Sequence, residues 1–488
     1  MTAFPNIVNA MTNGKPKLGR GVPVGFDGYR FSVEILMPTT KNSLVDVARV
    51  GEGRVAAYEW YDLTDRCRGV QWRRGATEFG GRARTGVGTI TLDVDAMGDL
   101  SSWNDSPVSS FEGLGSLLRP GTIIRWGCCS YTTGRANEWL PQFCGIVESW
   151  ETTTVALRAD LYATVTVVET TAALAKIDAN ALPGVVGGND TVIERVARLL
   201  TASRFPYGFF HTYTPSALPI RLQSTDMANN RLSEIYLTAD SGFVEIRSDQ
   251  RGPLGLYLKP GPQGTIAGTP YPAQERWRSF LSSASNFVTI SDGQFIEDAT
   301  FDPSTVRWLN DDAAIVNQAT IGVAGQPADT YTRTDEASVA RYNGLRPFSR
   351  FDLITTAELA HVVTRETAEF NLRRSDASRR VEQVTLNHRN TRTYPGPGGE
   401  TRYNAGIVMS IDIDTPLHVR EIYKTRYSTF RAGGQDVPDL TPPSIWVEAR
   451  GYIRALNHRV TPTPTGIDTW EVDIELDTYE LIKSEYPQ

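Results

Sequence analysis

From residue 29 to about 178 the chain alternates apolar and polar positions in short runs separated by Gly- and Pro-bearing turns, the pattern of β-strands. YRFSVEILM alternates, VAAYEWYDLTDRCRGVQWRRG supplies two more strands, and GVGTITLDVDA another. Leu117 to Glu151 then reads as two strands around a polar loop, launched by the Pro120-Gly121 turn. In RADLYATVTVVET, Leu161, Ala163, Val165 and Val167 take one face; Tyr162, Thr164, Thr166 and Val168 take the other. No helical period intervenes, so this part is expected to be a barrel or sandwich.

DANALPGVVGGND breaks the alternation and reads as a linker, after which the period changes. DTVIERVARLLTAS sets Ile193, Val196, Ala197 and Leu200 on one helical stripe behind an Asn189/Asp190 cap. A second helix aligns Leu232, Ile235, Tyr236 and Ala239 and stops at Gly242, with two strands following around Arg251-Gly252-Pro253. TTAELAHVVTRETAEFNL opens on a capping box, Thr355 to Glu358, and aligns Leu359, Val362, Val363 and Phe370. The tail returns to strands as a hairpin meander. The expected organisation is an N-terminal β-barrel domain at 1–178, an α+β middle at 179–350, and at 351–488 a helix followed by a second β-barrel. The fold class is mainly β with an α+β middle.

The last hairpin echoes the earlier one. Gly145-Ile146-Val147 leads into a turn and an alternating strand, and Gly451-Tyr452-Ile453 does the same. The echo predicts two related strand units, although two hairpins in one β-rich chain also resemble each other by chance. In WEVDIELD, Trp470, Val472, Ile474 and Leu476 point one way, and Glu471, Asp473, Glu475 and Asp477 the other. Two readings of that acidic face stay open. It is a solvated face that discourages edge pairing, or it lines a channel that repels passing phosphates.

The chain has 488 residues, 40% hydrophobic and 22% charged, enough for several cores and too apolar for a disordered polymer. A net charge of −7 argues against tight general nucleic-acid binding, which needs basic surface. The N-terminus lacks a basic start followed by an apolar run, and no run approaches the roughly 20 apolar residues that span a bilayer, so neither leader nor membrane anchor is expected. Cys67, Cys128, Cys129 and Cys144 include no C-x-x-C pair, so reduced thiols are expected rather than a metal site. The histidines at 211, 361, 388, 418 and 458 stand singly. No nucleophile-elbow, P-loop or metalloprotease motif occurs. Asp311-Asp312 and Glu366/Glu369 are the nearest approach to a glycosidase pair, but a three-residue helical spacing commonly makes a solvated face. Arg373, Arg374, Arg379 and Arg380 form a basic cluster read as a solvated loop. No catalysis, cofactor or metal is expected.

An ordered series of motifs resembles the hub proteins at the tail tip of long, flexible-tailed bacteriophages. It comprises Trp60-Tyr61-Asp62-Leu63-Thr64, Arg74-Gly75, the strand from Gly88 to Asp95, Arg119-Pro120-Gly121 and Gly145-Ile146-Val147. Asn317 to Val323 and Ser338 to Arg346 are similar to two further elements, with Asn343 inserted before Gly344 where the family has Gly directly after Tyr. The resemblance implies a siphophage minor tail protein. It would be a homotrimeric baseplate hub with two tube-like barrels per subunit, matching a sixfold tube. Its partners would be the distal tail ring protein, the tape measure protein and other tail-tip subunits, with phage DNA passing transiently through. Synthesis in the host cytoplasm and residence in the virion follow, and any peptidase or fibre activity would belong to another subunit. The competing expectations are a carbohydrate-binding or depolymerising tail protein, stacking sugars on its tryptophans, and the hexameric distal tail ring protein.

Overall fold

In a computed structural model, the described residues are 29–38, 58–76, 82–93, 118–130, 138–155, 160–177, 188–203, 205–211, 220–225, 230–258, 265–266, 269–270, 287–291, 303–310, 313, 315–372, 374–375, 379–387, 393–395, 401–403, 412–413, 416–424, 430–432, 435–437, 444–463 and 466–484. The N-terminal part forms β1 (Tyr29–Pro38), β2 (Tyr58–Asp62), β3 (Cys67–Gly75), β4 (Arg84–Asp93), β5 (Ile123–Ser130), β6 (Glu138–Val155) and β7 (Asp160–Glu169). The middle holds helices α1 (Thr171–Ala175), α2 (Val192–Ala202) and α3 (Arg231–Ser241) with strands β8 (Phe209–His211), β9 (Val244–Ser248) and β10 (Leu254–Leu258). Then come β11 (Phe287–Ser291), β12 (Pro303–Asn310), β13 (Gln318–Val323), β14 (Gln326–Thr334), α4 (Glu336–Arg341), β15 (Pro347–Leu353) and α5 (Ala357–Leu372). The tail adds β16 (Arg379–Asn387), β17 (Pro416–Lys424), β18 (Ser444–Thr463) and β19 (Gly466–Ser484).

Thirteen strands join in one sheet, ordered β12-β16-β19-β18-β3-β4-β7-β6-β5-β1-β2, with β17 paired to β18 and β11 to β17. The protein is therefore mainly β, as its alternation predicts. Among the described residues no ladder closes the sheet into a barrel.

Within that sheet lies a repeat. The first, third, fourth, fifth, sixth and seventh strands are ordered β1-β5-β6-β7-β4-β3, and the later set is ordered β11-β17-β18-β19-β16-β12. Taken in chain order, the two sets have the same arrangement. Two of their irregularities coincide. The β6–β7 register slips past Glu148, three residues after Gly145, and the β18–β19 register slips past Arg454, three residues after Gly451. The β3–β4 ladder slips between Cys67 and Gly69, and the β12–β16 ladder between Pro303 and Thr305. On that register Val70-Gln71-Trp72 overlies Val306-Arg307-Trp308. The sets differ at one end, where β1 is antiparallel to β5 while β11 is parallel to β17. Gly145 and Gly451 have a shared physical cause: a Cβ on either would strike the carbonyl oxygen of the neighbouring strand, Val168 or Asp477. The echoed glycines thus mark equivalent close approaches of two strands.

One core serves both sets, because the sheet curls until β1 meets β19. Phe31 packs edge-on against Trp470 at 5.8 Å, Trp126 stacks on Phe143 at 4.4 Å, and Trp72 stacks on His458 at 4.4 Å. Val70, Ile90, Val165, Leu456, Val472 and Ile474 fill the same cluster. A second cluster belongs to the helices. There α2, α3 and α5 pack with β9, β10, β13 and Leu353, so α5 sits with the middle elements while β12 joins the large sheet.

Three local expectations are corrected. The cap of α2 is Thr191 rather than Asn189/Asp190. Its hydroxyl accepts from the Glu194 amide at 3.2 Å while the Glu194 carboxylate accepts from the Thr191 amide at 2.8 Å. Asp190 instead holds Arg195 and Arg198, and Asn189 adopts a positive φ of 66°. The Thr355 hydroxyl, expected in a capping box, donates to the Ser241 carbonyl at 3.0 Å. The buried face of α5 is Ala360, Val363, Thr364, Thr367, Ala368, Asn371 and Leu372, with Val362 and Phe370 only partly buried. Small residues let the helix lie close on its sheet, which moves the larger ones to the flank.

His458 carries a pH dependence. It is buried, accepts from the Trp470 indole N–H at 3.1 Å through Nδ1, and is pushed down to about 3 by burial. An unfolded histidine titrates near 6.5, so the unfolded chain takes up the proton first and folding stability falls as pH drops through that region. About 2 kcal/mol should be lost between pH 6.5 and pH 5. Denaturant titrations should show that slope in the parent chain and its disappearance in His458→Phe, whatever the variant's absolute stability.

Candidate functional surface

The face of the sheet opposite the core is built by strict cross-strand register. One row runs Asn387, Glu471, Arg459, Gln71, Thr89, Thr166 and Ser149, each opposite the next, from β16 to β6. The next begins Thr385, Asp473, Asn457, Arg73 and Val87. Threonines dominate the N-terminal part of this face, and charged groups the C-terminal part.

Glu471, Asp473, Glu475 and Asp477 do share this face, as alternation requires, but they do not form a bare acidic wall. Arg459 on β18 reaches Asp473 at 2.7 Å and Glu471 at 3.4 Å. Glu475 lies between Arg73 of β3 at 2.9 Å and Arg454 of β18 at 2.8 Å, and Arg454 also approaches Asp477 at 3.6 Å. Thr385 donates to Asp473 at 2.7 Å and Asn387 to Glu471 at 3.3 Å. Burial alone would raise the Asp473 carboxyl, yet the hydrogen bonds from Arg459 and Thr385 hold it below the usual carboxylate range. Reading one strand could not reveal cations contributed by its neighbours. What the arrangement offers chemically is a polar surface with four carboxylates against three arginines.

The family-like motifs resolve into structural devices. Arg125 ion-pairs with Glu34 at 2.7 Å and stacks over Trp60 at 3.8 Å. Thr64 accepts the Val33 amide at 3.0 Å while its own amide donates to Asp62 at 2.9 Å, which fixes the chain where it leaves β2. Gly121, at φ 90°, donates to the Val147 carbonyl and begins the turn before β5. Asn317 binds both flanks of its turn, donating to Gly344 at 3.0 Å and accepting the Arg346 amide at 2.6 Å. Asn343 takes φ 52°, which is how the inserted residue is accommodated.

Arg74-Gly75 stands at the junction of the two repeats. Gly75, at φ 102°, lets β3 run against the Arg454 carbonyl, where no Cβ would fit. Arg74 is buried and donates to Glu169 at 2.7 Å, Asp412 at 3.0 Å and the Ser248 carbonyl at 2.6 Å. Glu169 also accepts the Gly86 amide at 2.7 Å. Burial pushes the Glu169 carboxyl up against the pull of Arg74. Thr170 adds bonds to Ser248 and Gly252, so this polar knot fastens β3, β4 and β7 to the middle strands.

The remaining candidates disperse. Glu369 pairs with Arg333, and Glu366 lies on the same helix. Asp311-Asp312, Arg373 and His388 lie outside the described residues, as do the side chains of His211, His418, Cys129 and Arg379. His361 is exposed. Arg380, expected in a solvated loop, is buried within β16. Cys67, Cys128 and Cys144 are buried thiols, and burial pushes Cys67 and Cys144 up to about 12. Among the described residues no three His, Cys, Asp or Glu side chains converge as metal ligands, and no helix is long and apolar enough to cross a membrane.

No family model matches the chain, and no curated protein matches its sequence. Solved structures that it is similar to include tail proteins. The 43 kDa tail protein of prophage MuSo2 from Shewanella oneidensis is 12% identical with a TM-score of 0.47, covering 91% of this chain and 98% of that one. The tail protein from Neisseria meningitidis MC58 is 10% identical with a TM-score of 0.48, covering 92% and 96%. The prophage tail protein gp18 from Listeria monocytogenes EGD-e is 10% identical with a TM-score of 0.42, covering 91% and 94%.

The Arg74 knot is testable. Arg74→Met removes the cation from a buried carboxylate and should destabilise the protein by about 3–5 kcal/mol. Arg73→Met, which touches only the partly solvated Glu475, should cost about 1 kcal/mol or less. Chemical denaturation of the two variants checks the contrast.

Proposed function

We propose that the chain is a structural subunit of a phage tail tip, a homotrimeric baseplate hub that continues the tail tube. Its supporting observation is the internal repeat. One chain carries two strand sets with the same order and two shared register slips, so three copies present six similar wall units to a sixfold tube. In this reading 1–178 supplies one barrel-like wall and the strands of 351–488 together with β11 and β12 supply the other, while α2, α3 and α5 belong to the α+β body. The outer row of threonines, glutamine and compensated carboxylates, Glu471, Asp473, Glu475 and Asp477 among them, faces the lumen. A face with no uncompensated cation lets DNA pass without adhering. Distal tail ring, tape measure and other tip subunits are the partners, and the chain itself performs no catalysis.

The sugar-binding alternative needs exposed aromatic platforms. Among the described residues, Trp72, Trp126 and Trp470 are instead buried in the core, Trp60 is buried beneath Arg125, Trp150 and Trp308 pack against the core edge, and the exposed aromatics Tyr61 and Phe351 lie far apart in sequence on different elements. Stoichiometry decides between the readings. Quantitative mass spectrometry and electron microscopy of purified particles should find three copies on the tail axis at its distal end. Six copies, or an off-axis position in a fibre, would contradict the hub.

A further inference from the structure

The repeat leaves the two strand sets unequal in one respect. Over Ala455–Val460, β18 is paired on both edges, to β19 on one side and to β3 on the other. The equivalent stretch of β6, counted from the shared glycine and the shared register slip, is Ser149–Thr154. Among the described residues its ladder is the one to β7. The strand that would lie beside it is the counterpart of β3, namely β12, and β12 stands at the far end of the sheet with its ladder to β16 alone. Among the described residues, one chain therefore ends in two complementary edges that its own geometry keeps apart.

Burial agrees. Val70 and Trp72, which β18 covers, are 3% and 1% exposed, whereas their counterparts Val306 and Trp308 are only partly buried. Glu151, Thr152 and Thr153 on β6 are exposed, while Leu456 and His458 on the equivalent part of β18 are buried.

We propose that β12 of one copy of this chain pairs antiparallel with Ser149–Thr154 of β6 in the next copy, reproducing between chains the β18–β3 ladder found within each. The register follows from the repeat: Thr153 lies opposite Arg307, Thr152 opposite Trp308, Glu151 opposite Leu309 and Trp150 opposite Asn310. The contact is head-to-tail, so it propagates around a ring and leaves no open edge when the ring closes. Main-chain hydrogen bonds supply the attraction, and the alternation of core-facing and outward positions along both strands fixes the register. This inference deepens the hub reading, since it rests on the two strand sets acting as equivalent walls.

Paired cysteines test it in the full chain. Thr153→Cys with Arg307→Cys places two thiols opposite each other across the proposed ladder, and Thr153→Cys with Leu309→Cys places them one diagonal step away, beyond disulfide reach. Thr153 and Arg307 are exposed and Leu309 is only partly buried, so far-UV circular dichroism of both variants confirms the fold before oxidation. The expected result, after mild oxidation at the concentration where light scattering reports an oligomer, is a ladder of linked chains for the first pair. Linking should fall at least tenfold for the second. A chain that stays monomeric overturns the proposal, as does an oligomer in which neither pair links or both link alike. Linking in a protein that is absent from the tail tip would uphold the ladder and sink the hub reading, whereas a trimer at the tip without linking does the reverse.

Discussion

The antiparallel ladder between β18 and β3 is the contact on which the rest of this protein depends. It joins residues 70–75 to residues 455–460 and converts two strand sets into one curled sheet with one aromatic core. Backbone pairing alone does not hold it. Gly75 permits the close approach, and Ala76 donates to the Arg454 carbonyl at 3.1 Å, where the ladder begins. His458 stacks on Trp72 beneath the ladder, and Arg459 stands above it among the carboxylates. Both ends of the chain thus close over the same core, at the contact-order cost of strands hundreds of residues apart.

Charge is distributed according to the same geometry. Carboxylates on β19 meet arginines on β18 and β3 at the half-solvated face, where such pairs contribute modestly to stability and mainly fix which strands lie side by side. The buried pairs are different in kind. Arg74 with Glu169 and Asp412, and Arg125 with Glu34, withdraw charge from water where only excellent geometry compensates. The Arg74 knot, at the junction of sheet and middle elements, favours one relative arrangement over many, and the Arg125–Glu34 pair fixes β1 beside β5.

Much of this was written plainly in the sequence. Period-two alternation located the strands, and the faces of β7 and β19 came out as alternation predicts because each strand buries one side. Gly145 and Gly451 marked equivalent points because a close strand crossing tolerates only glycine. The shared Val-x-Trp of β3 and β12 is three residues long and recognisable only once the register slips align them. Neutralisation of the acidic strand was invisible for a related reason: Arg73 and Glu475 are brought together by tertiary pairing, about which local pattern is silent. At α2, Asp190 and Thr191 are both good caps, and Glu194, three residues after Thr191, decides between them. At α5, burial follows Ala360, Thr364 and Ala368, where close packing outranks side-chain hydropathy.

Backbone hydrogen exchange tests the unity of the two strand sets most directly. Amides of Gln71–Arg74 and Leu456–Val460 should exchange as slowly as those of the β6–β7 ladder, all released together by global opening. Fast exchange in the β18–β3 ladder, with β6–β7 and β18–β19 still protected, would show two independent units merely in contact and would contradict the account.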